Sequence, residues 1–227
     1  HYETRGGLRV TRASEQVEIE GAIDPMIEAL DSRRGALLTS TYEYPGRYTR
    51  WDMGFTDPAL GIDARGHAMT VRAFNERGCV VLSAVRARLE PLADAGVLNG
   101  FTSQRDHVEL TVNRPTRRFT EEERSRQPSV FSVLRELVDL LGSDEDHHLG
   151  LYGSFGYDLV FQFEPMRQRL PRHGDQRDLV LYLPDDLLVV DHKRETAFRH
   201  RYDFEWEGHG TTCYPRPPDE SRPFIAQ

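Results

Sequence analysis

Cysteine is nearly absent: Cys79 and Cys213 are the only two in 227 residues. They lie far apart with no CxxC partner, which excludes a structural zinc site. Nothing else suggests a secreted, disulfide-bridged chain, and Cys79 in "GCVVLSAV" reads as a small buried hydrophobe. Long apolar runs are missing too. None nears the ~18 residues of a membrane span, so no membrane partner is expected. Positive charge is in deficit, with 29 Lys and Arg against 37 Asp and Glu. A net charge of −8 argues against a broad nucleic-acid surface, which needs a concentrated basic face. The exception, "RPTRRFTEEERSRQ", interrupts five arginines with three glutamates and reads as a solvated loop and helix start, with a capping box from Thr120 to Glu123.

Catalytic signatures are lacking as well. There is no GxxxxGK[ST], "GSFGYD" is not GxGxxG, and neither GxSxG nor HExxH occurs. His147 and His148 follow Asp144, Glu145 and Asp146 just after a helix stop, a pattern of an exposed polar loop. Asp191 and His192 are adjacent at a strand end and point to opposite faces, so they are not preset to act together. No acid/base pair stands out, which counts against a self-contained enzyme. No metal or cofactor is expected on this segment.

What is present is enough for a globular core. A chain of this length removes roughly 70% of its unfolded surface from water. Asp24-Pro25 suits a helix start, with Asp24 as N-cap, running through "MIEALDSRRG" to a stop at Gly35. "YTRWDMGF" then places Trp51, Met53 and Phe55 on one strand face and Arg50, Asp52 and Gly54 on the other. Residues 67–75 and 79–88 read as two strands joined by the turn chemistry of residues 75–78, and "HVELTVN" as another strand. The clearest helix is "PSVFSVLRELVDLLG", begun by Pro128 and stopped by Gly142, with Phe131, Leu134, Val138 and Leu141 along one stripe. Strands near 187–191 and 196–202 flank a turn at residues 193–195. Strands in hairpins outnumber helices, which predicts an α+β fold of antiparallel β-sheets packed with a few helices. The Pro-rich stretch from residue 214 to 227 reads as a linker leaving a domain of residues 1–213. The chain opens on His1 without an apolar leader, and reads as a cytoplasmic piece of a longer protein.

Two segments ask for more than packing. In "GLYGSFGYDLVFQFEP" the glycines at 150, 153 and 156 mark close approach of another backbone, either tight sheet packing or contact with a ligand or partner domain. In "ALLTSTYEYPGRYTRW", residues 36–51, hydroxyls, four aromatic rings and two arginines follow a Leu-Leu pair. This is too polar for a core strand and too aromatic for a solvated loop.

Taken together, "LLTSTYEYPGRYTRWDMGF", "GLYGSFGYDLVFQFE" and "DLVLYLPDDLLVVDH" resemble the amino-terminal domain of anthranilate synthase component I. The likeness is collinear over nearly the whole chain and is closest to the form fused to its glutamine amidotransferase. The resemblance implies an enzyme that converts chorismate and glutamine-derived ammonia, with Mg²⁺, into anthranilate, pyruvate and glutamate. Its chorismate and Mg²⁺ residues belong to a following catalytic domain, so none is carried over here. What the resemblance assigns to this segment is a tryptophan feedback site. The family's Leu-Leu-Glu-Ser element matches Leu37-Leu38-Thr39-Ser40, and its basic residue ten positions after the serine matches Arg50. Leu38, Thr39, Ser40 and Arg50 are thus the implied tryptophan-binding residues. Their chemistry suits an amino-acid zwitterion, whose burial requires polar partners in place of water. One departure is Thr39, where the family commonly has a glutamate for the ligand's ammonium; Glu43 and Asp52 are the substitutes at hand. The implied partners are the catalytic domain and the amidotransferase, and homo-oligomer formation stays open. Two alternatives stand beside this: a purely structural buttress, and the same domain of a related chorismate enzyme such as aminodeoxychorismate synthase.

Overall fold

Alternating apolar and polar segments pair into two antiparallel sheets in the computed structural model, which describes residues 1–39, 51–114, 127–164 and 169–216. Numbered in chain order, the first sheet runs β1 (Tyr2–Glu3), β2 (Arg9–Val17), β12 (Thr196–Trp206), β11 (Asp186–Asp191), β4 (Trp51–Thr56) and β3 (Gly35–Leu38), with β13 (His209–Gly210) also on β12. The second runs β7 (Leu98–Ser103), β8 (His107–Val112), β6 (Ala68–Ala73), β5 (Leu60–Arg65), β10 (Leu179–Leu183) and β9 (Tyr152–Phe155). Three helices accompany them: α1 (Asp24–Leu30), α2 (Glu76–Asp94) and α3 (Val130–Leu141). This is the α+β arrangement of antiparallel hairpins that the sequence predicts. No described helix is long and apolar enough to cross a membrane.

The chain passes between the sheets twice, from β4 to β5 and from β10 to β11. Three aromatic rings fill this crossing: Phe55 lies 5.9 Å from Tyr182 and 6.1 Å from Tyr152, in tilted and edge-on geometries favoured by ring quadrupoles. One contiguous core joins both sheets with α2 and α3, through side chains such as Tyr202, Phe204, Val71, Leu89 and Leu137. A smaller cluster of Leu188, Val190 and Ala197 lies under Met26 and Ile23 of the α1 region, on the opposite face of the first sheet.

Three expectations are corrected. Residues 79–88 belong to α2 and not to a strand. Asn75 is its N-cap, accepting a hydrogen bond from the Gly78 amide at 2.8 Å, where the sequence suggested a hairpin turn. The β-branched pair Val80-Val81 favours a strand locally. The buried Val81, Val85 and Leu89, however, recur every four residues and face the core as one helical stripe. Gly35 does not stop the first helix, which ends at Leu30 and begins with Asp24 already inside it, after Ile23 as N-cap. It opens β3 instead, where a Cβ would stand 2.1 Å from the Phe55 carbonyl oxygen. In α3 the ends are as expected, but the buried stripe is Val130, Val133, Leu134, Leu137, Leu140 and Leu141, and Val138 is 55% exposed. Both stripes fit a 3.6-residue period, and docking against α2 chose between them.

Of the three glycines, Gly153 packs tightly, a Cβ there lying 2.1 Å from the Val180 carbonyl oxygen of β10, and a Cβ on Gly156 would come within 3.1 Å of the Asp178 carbonyl oxygen, whereas Gly150 faces open space. Arg77, near the start of α2, is 1% exposed. Its guanidinium donates to Asp185, to Asp203 at 2.8 Å, and to the carbonyls of Tyr202 and Thr211 at 2.7 and 2.8 Å. It also reaches the Tyr214 carbonyl at 3.3 Å, and Arg216 donates to the Tyr202 carbonyl at 2.9 Å, so residues 214–216 are held against the fold.

Candidate functional site

The Leu-Leu pair forms the outer strand of the first sheet. In β3, Ala36 and Leu38 stand opposite Phe55 and Met53, whose side chains pack on the core. Leu38, at the end of the strand, is 41% exposed. Strand alternation turns the next residue, Thr39, to the other face. There its hydroxyl donates to Oδ1 of Asp52. The second carboxylate oxygen of Asp52 lies 2.7 Å from His192 Nε2. The register explains the meeting: Asp191 stands opposite Trp51, so His192 is diagonal to Asp52 on the same face. Asp52 is 4% exposed, whereas the His192 side chain reaches solvent. Thr39 and Asp52 bracket residues 40–50, and their bond ties the two ends of that segment together.

Of the four residues implied by the resemblance, the structure thus places Leu38 and Thr39 on neighbouring positions and opposite faces of one strand end. Ser40 and Arg50 lie outside the described residues, as do Glu43 and the capping box at Thr120. Residue reading took His192 only with its sequence neighbour Asp191. Asp191 instead accepts the amides of Lys193 and Arg194 in the β11–β12 turn. The Asp52–His192 pair depends on the strand order β4–β11, which no local pattern encodes.

On the core side of the same strand, Trp51 leads to a second polar group. Its ring meets the His148 ring edge-on at 6.2 Å, and His148 stacks on His200 at 5.0 Å. In the loop holding His148, Asp144, Glu145 and His147 are exposed as its polar sequence suggests, but Asp146 is 3% exposed. The Asp146 carboxylate accepts the Tyr2 hydroxyl at 2.9 Å and the His148 amide at 2.9 Å, and it pairs with Arg12 at 3.0 Å. Burial by itself would raise the Asp146 pKa; the His148 amide, the Tyr2 hydroxyl and Arg12 outweigh it and hold the carboxyl below its ordinary range. Among residues 144–148 Asp146 alone is buried, because these donors replace its water.

Burial lowers the His148 pKa and, with the neighbouring His148 and Arg12, brings His200 down to about 4. Both rings are therefore neutral near pH 7 and can stack. Ser14 Oγ lies 2.9 Å from His200 Nδ1, which superficially suggests a nucleophile and its base. A base with so low a pKa takes few protons at neutral pH, and the ring is 7% exposed between His148 and Phe198. This cluster is scaffolding for Trp51 and the strand it begins. Among the described residues no group of three His, Cys, Asp or Glu side chains is arranged for a metal ion, and no step through Mg²⁺ is derived from them.

The described residues form an antiparallel α+β module with a bonded polar junction, Thr39–Asp52–His192, at one sheet edge. No protein-family model matches the chain. It is 51% identical over 190 residues to anthranilate synthase of Azospirillum brasilense, covering 84% of this chain and 25% of that protein. It is 34% identical over 172 residues to anthranilate synthase component 1 of Serratia marcescens, and 30% identical over 168 residues to that of Escherichia coli, in each case over 73% of this chain and 31% of the relative. The chain belongs to the anthranilate synthase component 1 family. It spans about a quarter to a third of the length of these relatives.

Proposed function

We propose that this chain is the amino-terminal, tryptophan-sensing part of an anthranilate synthase, a lyase of tryptophan biosynthesis that forms anthranilate from chorismate and glutamine-derived ammonia. In this reading chorismate and Mg²⁺ bind in a catalytic domain beyond the segment. An amidotransferase supplies the ammonia, and the segment itself turns over no chorismate. Tryptophan binds through Leu38, Thr39, Ser40 and Arg50, against the catalytic domain. Control of this kind requires that tryptophan bind two arrangements of the domains with different affinity.

The observation that carries the reading is the Thr39–Asp52–His192 junction. An amino-acid ligand brings an ammonium group whose burial needs an anion or strong acceptors. Thr39 stands where the family commonly has a glutamate, and Asp52, bonded to Thr39, puts a carboxylate beside that position. His192 on its other oxygen fixes the carboxylate's orientation. Arg50 and Ser40 serve the ligand's carboxylate, and Leu38 with nearby rings walls the indole. The test is calorimetry of tryptophan binding to the full-length protein. Ser40→Phe fills the pocket and abolishes binding while the melting temperature without ligand is unchanged; equal affinity in wild type and variant refutes the assignment.

A structural role has one observation in its favour, since the Thr39 hydroxyl is already spent on Asp52. That reading expects no rise in melting temperature with excess tryptophan, whereas a ligand bound to the native state must raise it.

A further inference from the structure

Where the turn between β5 and β6 meets the end of β8, the surface opens into a cavity of about 610 Å³. Its wall carries Arg65, Arg114 and Arg172 beside His67 and Asn99, and no acidic side chain among the described residues. For a chain with more acidic than basic residues, that local balance is inverted.

The three arginines are held differently. Arg172 pairs with both oxygens of Asp178 and lies 3.3 Å from Asp158, so its charge is met from behind. Asp178 is 1% exposed and also accepts the Gly66 amide at 2.6 Å, which fixes the turn relative to Arg172. The turn is fixed again by the Val112 amide donating to the His67 carbonyl at 2.9 Å, and by Gln162 donating to the Gly66 carbonyl at 2.9 Å. Arg65, by contrast, donates to a neutral carbonyl, that of Gly174 at 2.5 Å. Neither Arg65 nor Arg114 pairs with an acidic residue among the described residues, and both are exposed. His67 Nδ1 is buried without a hydrogen-bond partner among them. Two cations without counter-charges thus stand on a frame that is rigid for a separate structural reason.

We infer that this cavity binds a small polyanion, a ligand bearing two or more phosphoryl or carboxylate groups, held between Arg65 and Arg114 with Arg172 as a fixed third donor. Guanidinium forks match the paired oxygens of both groups, and two uncompensated cations call for at least two negative charges. The volume falls in the range of small-molecule sites. The inference is independent of the tryptophan reading, whose described residues Leu38 and Thr39 lie at the end of β3 in the other sheet.

The test is isothermal titration of the full-length protein in metal-free, low-salt buffer, with inorganic pyrophosphate in one arm and citrate in the other. Saturable binding is expected in at least one arm, and the tighter arm identifies the phosphoryl or carboxylate class. The double variant Arg65→Ala/Arg114→Ala weakens it tenfold or more. Arg177→Ala, on an arginine outside the cavity wall, leaves it unchanged, and tryptophan affinity stays the same in all of them. If the double alanine variant melts early, Arg65→Gln/Arg114→Gln keeps the side-chain bulk and serves in its place. Absence of saturable binding in both arms, or binding that survives loss of both charges in a folded variant, overturns the inference.

Discussion

Two buried carboxylates, Asp185 and Asp52, have almost the same exposure and opposite settings. Asp185 meets the Arg77 guanidinium, whose other N–H groups all go to Asp203 and to main-chain carbonyls. Every N–H of the Arg77 guanidinium is answered from within, and the group holds α2 to the first sheet. Asp52 sits at the end of a sheet next to an exposed leucine, with a hydroxyl on one oxygen and a solvent-reaching imidazole on the other. It keeps further lone pairs, and its imidazole partner connects it to solvent. A closed network fixes a fold, whereas a network with one side open is where a ligand's charge can be received.

The largest effect expected from this contrast is at the closed end. Arg77→Ala leaves Asp185 buried without its cation and costs about 3–5 kcal/mol, the range for breaking a buried pair. Urea denaturation measures it; a loss within the scatter of surface substitutions would show that the network is dispensable. Asp52→Asn is expected to act mainly on binding. Losing the ammonium's counter-charge weakens tryptophan about tenfold or more, roughly 1.4 kcal/mol upward, while stability moves by about 1 kcal/mol. Calorimetry and melting of the same variant separate the two. The reverse pattern, intact affinity with a collapsed melting temperature, would put Asp52 in the same class as Asp185. In a background of Asp52→Asn, Thr39→Glu should recover part of the lost affinity, because it returns a carboxylate to the neighbouring position.

The effect that is smallest at neutral pH concerns the histidine stack behind Trp51. His200 titrates near 6.5 when unfolded and about 4 when folded. A depressed folded value means that the unfolded chain binds the proton first. Stability from this group is therefore complete above pH 6.5, declines as the pH falls toward 4, and is level below that. His200→Gln should flatten the stability profile across that window and leave tryptophan affinity at pH 7.5 unchanged. A profile as steep as wild type would assign the acid sensitivity to other groups.

Much of the architecture was legible in the residues. The hairpin around residues 193–195, the strand at 107–112, the alternation of Trp51, Met53 and Phe55, and the ends of α3 all followed from period and punctuation. The failures share a cause. Val80 and Val81 favour a strand, and only the site that α2 fills between the two sheets makes their helical stripe the better fit. Gly35 serves equally as a helix stop or as a place where two strands close up, and the Phe55 carbonyl decides. Asp146 looked solvated because its partners, Tyr2 and Arg12, are more than a hundred residues away in sequence.

The candidate sites divide in the same way. Likeness to a known family pointed to Leu38, Thr39, Ser40 and Arg50, in a segment whose local chemistry alone showed only that it was neither a core strand nor a solvated loop. The Asp52–His192 pair and the arginine-lined cavity had no sequence signal, since each gathers residues from strands or loops far apart in the chain.

By itself the sequence determined the α+β class, the hairpin periods and the family, because side-chain alternation, turn chemistry and motif order are local properties. Which face of each helix is buried, which carboxylate meets which donor, and where positive charge is left unanswered were settled by strand order and docking. Those depend on contacts between distant residues, and their energies come from desolvation that no single segment can express.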